Sequence, residues 1–292
     1  MKRIAFVIYR KWAYEIFQNI LAFQAENPNF KVSALIITPS AEFRAKELKN
    51  FEKIFILEGD DNDKINSILV KNEIDVVCYY GWSWIVKEPI LSKFICLCLH
   101  PSLLPKYRGG TPIQHQIINN ELNSGVSVFR MKGGIDDGDI YKQLPMSLSG
   151  ALSDIFTRMT DLGTIITKQF ISDLTQDTVI FTPQKTLHKN SPFKRRTQKD
   201  SEIFMKEISQ LSYNELYNKV RALADPYPNA FISFPDGKLY IKEIRRYTKA
   251  PLHGFILNET PALLVNKNDT PIYLHLSNEY VRIEKYKIDL SE

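Results

Sequence analysis

Ile74-Asp75-Val76-Val77-Cys78-Tyr79, then a short helical stretch at 88–91, then Phe94-Ile95-Cys96-Leu97-Cys98-Leu99: these two apolar runs decide the fold. Each has the length of a strand rather than a helix. A strand with one wet face alternates apolar and polar residues, whereas one that is apolar almost throughout is covered on both faces. Two such strands separated by a helix predict a mostly parallel α/β sheet with helices on both sides. The same order extends upstream. Strands are expected at 4–9, 30–37 and 54–57. Helices are expected at 13–26, where Ala13, Ile16, Phe17, Ile20 and Phe23 form a stripe, and at 62–72. Downstream, a helix at 111–120, strands at 126–132 and 140–144 and a long helix at 149–174 complete the pattern.

The chain has 292 residues, 44% hydrophobic, 24% charged and 12% aromatic. That composition excludes a disordered tail, a collagen-like repeat and a small disulfide-stapled fold. Three cysteines, Cys78, Cys96 and Cys98, lie inside apolar runs and suggest neither a disulfide framework nor a four-ligand zinc site. His115, His188, His253 and His275 share no metal-ligand spacing, so no metal is expected. Apolar runs reach only strand length, far short of the ~20 residues that cross a bilayer. The basic then apolar start, Met1 to Arg10, reads as a first strand rather than a signal peptide. A cytoplasmic protein without a membrane partner is the expectation. The net charge of +5 would tolerate an anionic substrate without selecting one.

Residues 179–200 are polar and rich in Pro, Lys and Arg, which suits a linker or a substrate-contacting segment. Beyond them, Ser212 followed by Glu215 forms a capping box that opens a helix over 212–224, and Asp225-Pro226-Tyr227-Pro228 stops it. Short strands at 230–234, 238–245, 254–257, 261–265, 271–276 and 281–286, with turns at 236–237, 266–270 and 277–278, predict a small barrel or curled antiparallel sheet. The expected boundaries are a catalytic domain at 1–183, a linker at 184–203 and a small C-terminal domain at 204–292.

In an open sheet the binding crevice lies beyond the carboxyl ends of the strands. Neither a Gly-x-Gly-x-x-Gly turn nor a Walker loop follows the first strand. After Leu99, however, comes His100-Pro101-Ser102-Leu103-Leu104-Pro105-Lys106-Tyr107-Arg108-Gly109-Gly110. Prolines stiffen this loop, glycines permit close backbone approach, and a histidine at the strand end is a proton carrier near neutral pH. A histidine there could equally cap the strand on a backbone carbonyl. Asp136-Asp137-Gly138-Asp139 is a second acidic turn; it lacks calcium-loop spacing, and one of its carboxylates could pair with His100. Tyr79-Tyr80-Gly81-Trp82-Ser83-Trp84-Ile85 could clasp a flat heterocycle or could simply pack a loop.

The stretch from His100 to Gly109, with Gly134-Ile135-Asp136-Asp137-Gly138-Asp139-Ile140, resembles the signature pair of the folate-dependent formyltransferases. That family includes the glycinamide ribonucleotide, methionyl-tRNA and nucleotide-sugar amine enzymes. The resemblance continues at Lys194-Arg195-Arg196-Thr197, at Asp200-Ser201-Glu202-Ile203 and at Tyr217 to Phe231, and so spans nearly the whole chain. It implies a Rossmann-like domain followed by a small OB-like β domain. It also implies transfer of the formyl group of N10-formyltetrahydrofolate to a primary amine.

The family's catalytic set is Asn, His and Asp. His100 and Asp136 match, whereas Cys98 occupies the Asn position. A neutral thiol is a weak donor, and loss of a good oxyanion donor typically costs roughly 3 kcal/mol. The resemblance places the pterin against Trp82, Ser83, Trp84, Ile85 and Val86 and against Asp136, Asp137, Gly138 and Asp139. Ser102, Lys106, Tyr107, Arg108, Gly109 and Gly110 would meet the acceptor. The mixed-charge segment from Thr38 to Lys49 and the modest overall charge favour a nucleotide-linked 4-amino-4,6-dideoxy sugar of surface-polysaccharide (O-antigen) synthesis. Methionyl-tRNA ranks second. A folate- or nucleotide-binding protein with impaired chemistry is a third reading. Sugar members of the family imply a homodimer joined through the second domain.

Overall fold

The computed structural model describes residues 1–41, 51, 53–185, 192–235, 237–258 and 270–290. The expected strand at 261–265, the segment 42–49, Asp236 and His188 lie outside them. The chain divides into two compact units, one of Met1–Pro112 with Asn123–Phe193 and one of Ile113–Leu122 with Lys194–Glu292.

In the first unit β1 (Lys2–Ile8), α1 (Lys11–Ala25), β2 (Phe30–Ile37), β3 (Ile54–Ile56), α2 (Asn62–Lys71), β4 (Val76–Tyr80), α3 (Glu88–Leu91) and β5 (Ile95–His100) alternate as the sequence predicts. The first five strands pair in parallel. All of β4, and β1 from Ile4 onward, is buried, because helices cover both faces. On one face Phe6 meets Phe17 of α1 edge-on at 5.4 Å and Tyr80 at 5.9 Å. On the other, Ala5, Val7, Val77 and Cys96 pack with Ile65 and Leu69 of α2 and Ile90 of α3. Truncating Phe17 to alanine would cost about 3–5 kcal/mol, since both the transfer term and the cavity term apply.

After β5 the chain forms α4 (Pro112–Ile118), then β6 (Asn123–Arg130), β7 (Ile140–Ser147) and α5 (Leu152–Thr175). Here the sheet departs from the parallel pattern. β6 runs antiparallel to β5, and β7 antiparallel to β6, giving the order β3-β2-β1-β4-β5-β6-β7. α4 is therefore no crossover helix. From Ile113 it groups with the second unit, where the His115 ring donates to the Lys194 carbonyl at 3.0 Å and Asn218 donates to Asn120 at 3.0 Å. α5 covers β5 closely because residue 163 is glycine: a Cβ there would stand 2.5 Å from Leu99 Cδ1 and 2.8 Å from Ile16 Cδ1.

The second unit contains α6 (Tyr213–Ala222), β8 (Ala230–Phe234), β9 (Gly237–Tyr247), β10 (Phe255–Ile256), β11 (Ile272–His275) and β12 (Tyr280–Leu290). Ser212 caps α6 as expected: the Glu215 amide donates to its hydroxyl, and the Glu215 carboxylate accepts from the Ser212 amide at 2.8 Å. The strands form one five-stranded sheet, β10-β11-β12-β9-β8, antiparallel except between β10 and β11. Leu216 and Val220 of α6 pack with Ala230, Ile232, Leu239 and Ile241. Among the described residues, no helix is long and apolar enough to cross a membrane.

Candidate active site

Alternation along β5 puts Cys96, Cys98 and His100 on one face, while Leu99 points to the opposite face, against α5. His100 ends the strand and is 4% exposed. Its Nε2 lies 2.7 Å from the Tyr107 carbonyl. A carbonyl only accepts, so Nε2 carries the proton. Its Nδ1 lies 3.4 Å from Asp136 Oδ2, the oxygen that also accepts from the Gly109 amide at 2.8 Å. Three segments distant in sequence thus meet around one imidazole.

The loop after His100 is fastened from beneath. Ser102 is fully buried and donates its hydroxyl to the Lys106 carbonyl at 2.6 Å. Ser127 of β6 donates to the Ser102 carbonyl and accepts from the Leu104 amide, and Gln143 of β7 donates to Ser127 and to the Leu104 carbonyl. Ser102 therefore shapes the loop from inside. Outside, Phe193 pairs with Gly109: its amide donates to the Arg108 carbonyl, its carbonyl accepts from the Gly110 amide, both at 2.8 Å, and its ring stacks on Tyr107 at 5.2 Å. Gly109 has φ +98°, and a Cβ there would run into the Phe193 backbone. Lys106 is exposed and Arg108 half-buried on the rim.

The turn that carries Asp136 joins β6 to β7. Arg130 is opposite Leu97, near the start of β5, and the turn folds back along the sheet far enough to bring Asp136 to His100 at the other end. Asp136 has φ +49°. The other two carboxylates of the turn go elsewhere: Asp139 pairs with Lys132 at 2.8 Å, and Asp137 is exposed. Gly138 is buried with no room for a side chain, since a Cβ would overlap the Arg130 carbonyl. Gln184 donates to the Asp136 and Gly138 carbonyls, 2.8 Å from each. The sequence reading missed Gln184, Ser127, Gln143 and the backbone of Phe193. The only signal was that 179–200 suited a substrate-contacting segment as well as a linker.

Cys98 keeps some accessible surface. Burial around its sulfur, and then the Asp136 carboxylate, push its thiol well above the ordinary cysteine range. At neutral pH it is therefore a thiol rather than a thiolate.

The aromatic loop after β4 packs largely on itself. Trp82 and Trp84 lie 4.8 Å apart, Tyr79 meets Trp82 at 6.5 Å, and Tyr9 meets Trp84 edge-on at 5.3 Å. Asn62 pins the loop, donating to the Ile85 carbonyl and accepting from the Lys87 amide. Val86 is buried, Ser83 half-buried, and Ile85 83% exposed. Among the described residues, no group of three or more His, Cys, Asp or Glu could hold a metal.

Two family models match this chain: Formyl transferase over residues 38–155, and Formyl transferase, C-terminal domain over 209–289. The methionyl-tRNA formyltransferase of Campylobacter jejuni subsp. jejuni serotype O:23/36 is 30% identical over 248 residues, covering 80% of this chain and 76% of that one. The methionyl-tRNA formyltransferase of Wolbachia pipientis is 28% identical over 193 residues, and the match spans 65% of this chain but only 60% of that protein. Three solved structures share the fold. A methionyl-tRNA formyltransferase from Clostridium thermocellum covers 100% of both chains at TM-score 0.65 and 20% identity. A 4-N formyltransferase from Francisella tularensis covers 80% of this chain and 93% of its own at 0.67 and 21%. HypX from Aquifex aeolicus in complex with tetrahydrofolic acid covers 98% of this chain and 44% of its own at 0.69 and 15%.

Proposed function

The chain belongs to the formyl transferase family, and from that premise we propose that it moves the formyl group of N10-formyltetrahydrofolate to a primary amine. The observation that carries the proposal is the His100–Asp136 pair at 3.4 Å, enclosed by two braced loops at the edge of a buried sheet. The loops suit a folate. The aromatic loop after β4 and the acidic turn each carry one large exposed apolar side chain, Ile85 at 83% and Ile135 at 60%, where a flat ligand would cover it. Gly138 lets the backbone of the turn lie close to its neighbours.

When bound, the donor supplies an activated one-carbon unit on a nitrogen that leaves once protonated. The chain's residues do the rest. The acceptor amine must arrive unprotonated, because an ammonium has no lone pair. Held near contact, it attacks the formyl carbon, and the bond from that carbon to N10 breaks. Asp136 accepts the proton that the attacking nitrogen gives up and, once protonated, can donate to His100 Nδ1. His100 donates to the formyl oxygen as charge develops there; the proton held by Asp136 passes to Nδ1, and the ring gives one from Nε2 to N10, directly or through water. Donation to the formyl oxygen requires the ring to exchange its Tyr107 carbonyl bond for one to substrate. With Cys98 at the family's Asn position, His100 carries more of that stabilisation. Trp82 to Val86 and Asp136 to Asp139 would line the pterin site, and Lys106, Tyr107, Arg108, Gly109 and Gly110 the acceptor side.

The acceptor placed first is methionyl-tRNA, which reverses the ranking drawn from the sequence. Support comes from the two curated relatives described above, one matching 80% of this chain, and from the C-terminal-domain match over 209–289. The segment 42–49, on which part of the contrary ranking rested, lies outside the described residues. A nucleotide-linked amino sugar is the second reading, supported by the near-balance of charge and the Francisella likeness. Either acceptor places the reaction in the cytoplasm. A homodimer, the state expected for the sugar reading, is testable by sedimentation.

The deciding experiment supplies labelled formyl-folate with methionyl-tRNA and with nucleotide-linked 4-amino-4,6-dideoxy sugars in parallel. Faster labelling of the tRNA is expected. Faster labelling of a sugar would restore the other order, and folate binding without transfer to any amine would sink the enzymatic reading.

A further inference from the structure

We propose that Gln184 is a positioning residue that holds Asp136 in register with His100. The argument starts two residues upstream. Thr182 exchanges two backbone hydrogen bonds of 2.8 Å with Ile140, the first residue of β7, so the chain is fixed beside the end of the acidic turn. From there the Gln184 amide nitrogen reaches the Asp136 and Gly138 carbonyls at 2.8 Å each. Both partners only accept, so each N–H of the amide meets one carbonyl. The reverse orientation would set oxygen against two oxygens. The amide oxygen that remains is buried and has no hydrogen-bond partner among the described residues. Gln184 therefore works here through its donors.

Those donors matter because Asp136 is a non-glycine residue at φ +49°. Such a residue stays in the left-handed region only when its surroundings hold it there. The Gln184 bridge clamps the backbone on both sides of Asp137, and the Asp136 carboxylate is then aimed at His100 Nδ1 and the Gly109 amide. A 3.4 Å separation tolerates little drift before the pair is lost. Without the clamp the turn can relax, and the carboxylate with it.

The proposal rests on the formyl-transfer reading only for its rate arm, so the first measurement is independent of activity. Histidine-labelled protein is observed by NMR at fixed pH, with the His100 signal assigned by its loss in His100→Asn. Gln184→Met keeps length and removes both donors; Gln184→Glu sets a carboxylate against the two carbonyls; Gln184→Lys restores N–H donors. The His100 ring resonances should move in Gln184→Met and Gln184→Glu and return toward the parent in Gln184→Lys. In the rate arm, kcat for formyl transfer should fall about 10–100-fold in Gln184→Met while KM changes less than about 2-fold. Unmoved His100 ring resonances in folded Gln184→Met, or no recovery in Gln184→Lys, would overturn the proposal. If Gln184→Met does not fold, Gln184→Ala takes its place under the same criteria. Shifted His100 resonances in a protein that formylates no amine would leave the positioning role standing and remove the proposed function instead.

Discussion

Two segments converge on His100, and they are held in different ways. The loop from Pro101 to Thr111 is fastened by a backbone pairing with Phe193 and, from beneath, by Ser127 and Gln143. The turn from Gly133 to Asp139 is held by one carbonyl–amide bond between Asp139 and Arg130, by the Gln184 side chain and by its own ion pair with Lys132. A backbone pairing survives most side-chain changes, whereas an amide clamp and an ion pair do not. The loop that supplies the Tyr107 carbonyl and the Gly109 amide is therefore the tolerant half of the site. The turn that supplies the carboxylate is the fragile half.

The largest expected effect comes from removing the pair on which both segments meet. His100→Asn or Asp136→Asn should lower kcat by about 10²–10⁴-fold, the usual worth of a proton-transferring side chain, with substrate binding weakened much less. Steady-state kinetics beside a thermal melt check this, and near-parental kcat in either folded variant would remove the catalytic assignment.

Two glycines sharpen the contrast between the segments. Gly109→Ala places a Cβ against the Phe193 backbone at φ +98°, and Gly138→Ala places one in the Arg130 carbonyl. Both should destabilise, by roughly 1–3 kcal/mol. Gly138→Ala, which moves the turn itself, should lower kcat by about 10-fold or more, whereas Gly109→Ala, which keeps the amide that Asp136 accepts from, should lower it less. Equal losses of kcat in the two variants would erase the distinction between a tolerant loop and a fragile turn.

Cys98 lies next to the pair without being part of it. Cys98→Ala and Cys98→Ser should stay within about 10-fold of the parent, because direct attack by the amine requires no thiol. Cys98→Asn asks whether an amide can reach the developing charge: a rise in kcat says it can, and a fall says that another donor already serves there. Because the thiol lies well above the ordinary range, iodoacetamide at pH 8.5 should alkylate Cys98 far more slowly than a free cysteine. Total loss of turnover in folded Cys98→Ala, or a formyl-cysteine trapped at a competent rate, would replace direct transfer with a covalent route.

The smallest effect concerns the two cysteines inside the sheet. Burial pushes Cys78 and Cys96 up to about 12 from a usual 9.0. Both thiols are neutral in the fold, so their contribution is fully present below pH 9. It is lost as pH rises toward 12, where the unfolded chain releases protons that the folded chain keeps. The melting temperature should decline across that window, and the decline should be shallower in Cys96→Ala.

Local pattern explains what could be read in advance. The apolar runs announced five parallel strands, and Ser212 with Glu215 announced the start of α6. Asp136, Asp137 and Asp139 looked alike as a cluster, and family resemblance singled out Asp136. The structure gives the three separate surroundings: His100, solvent and Lys132. The helix at α4 was read as part of the first domain because it sits between two of its strands. From Ile113 it groups with the second unit, through contacts to Lys194 and Asn218 that lie far away in sequence.

The sequence by itself determined that Cys98 and His100 share a face at the end of a buried strand, because a period of two is a property of the backbone and needs no partner. Only the tertiary structure decided that β6 and β7 run antiparallel, that their turn returns over β5 to bring Asp136 to His100, and that Gln184 holds the turn there. Strand direction and an amide's choice of carbonyls depend on groups dozens of residues apart, whose pairing no local periodicity records.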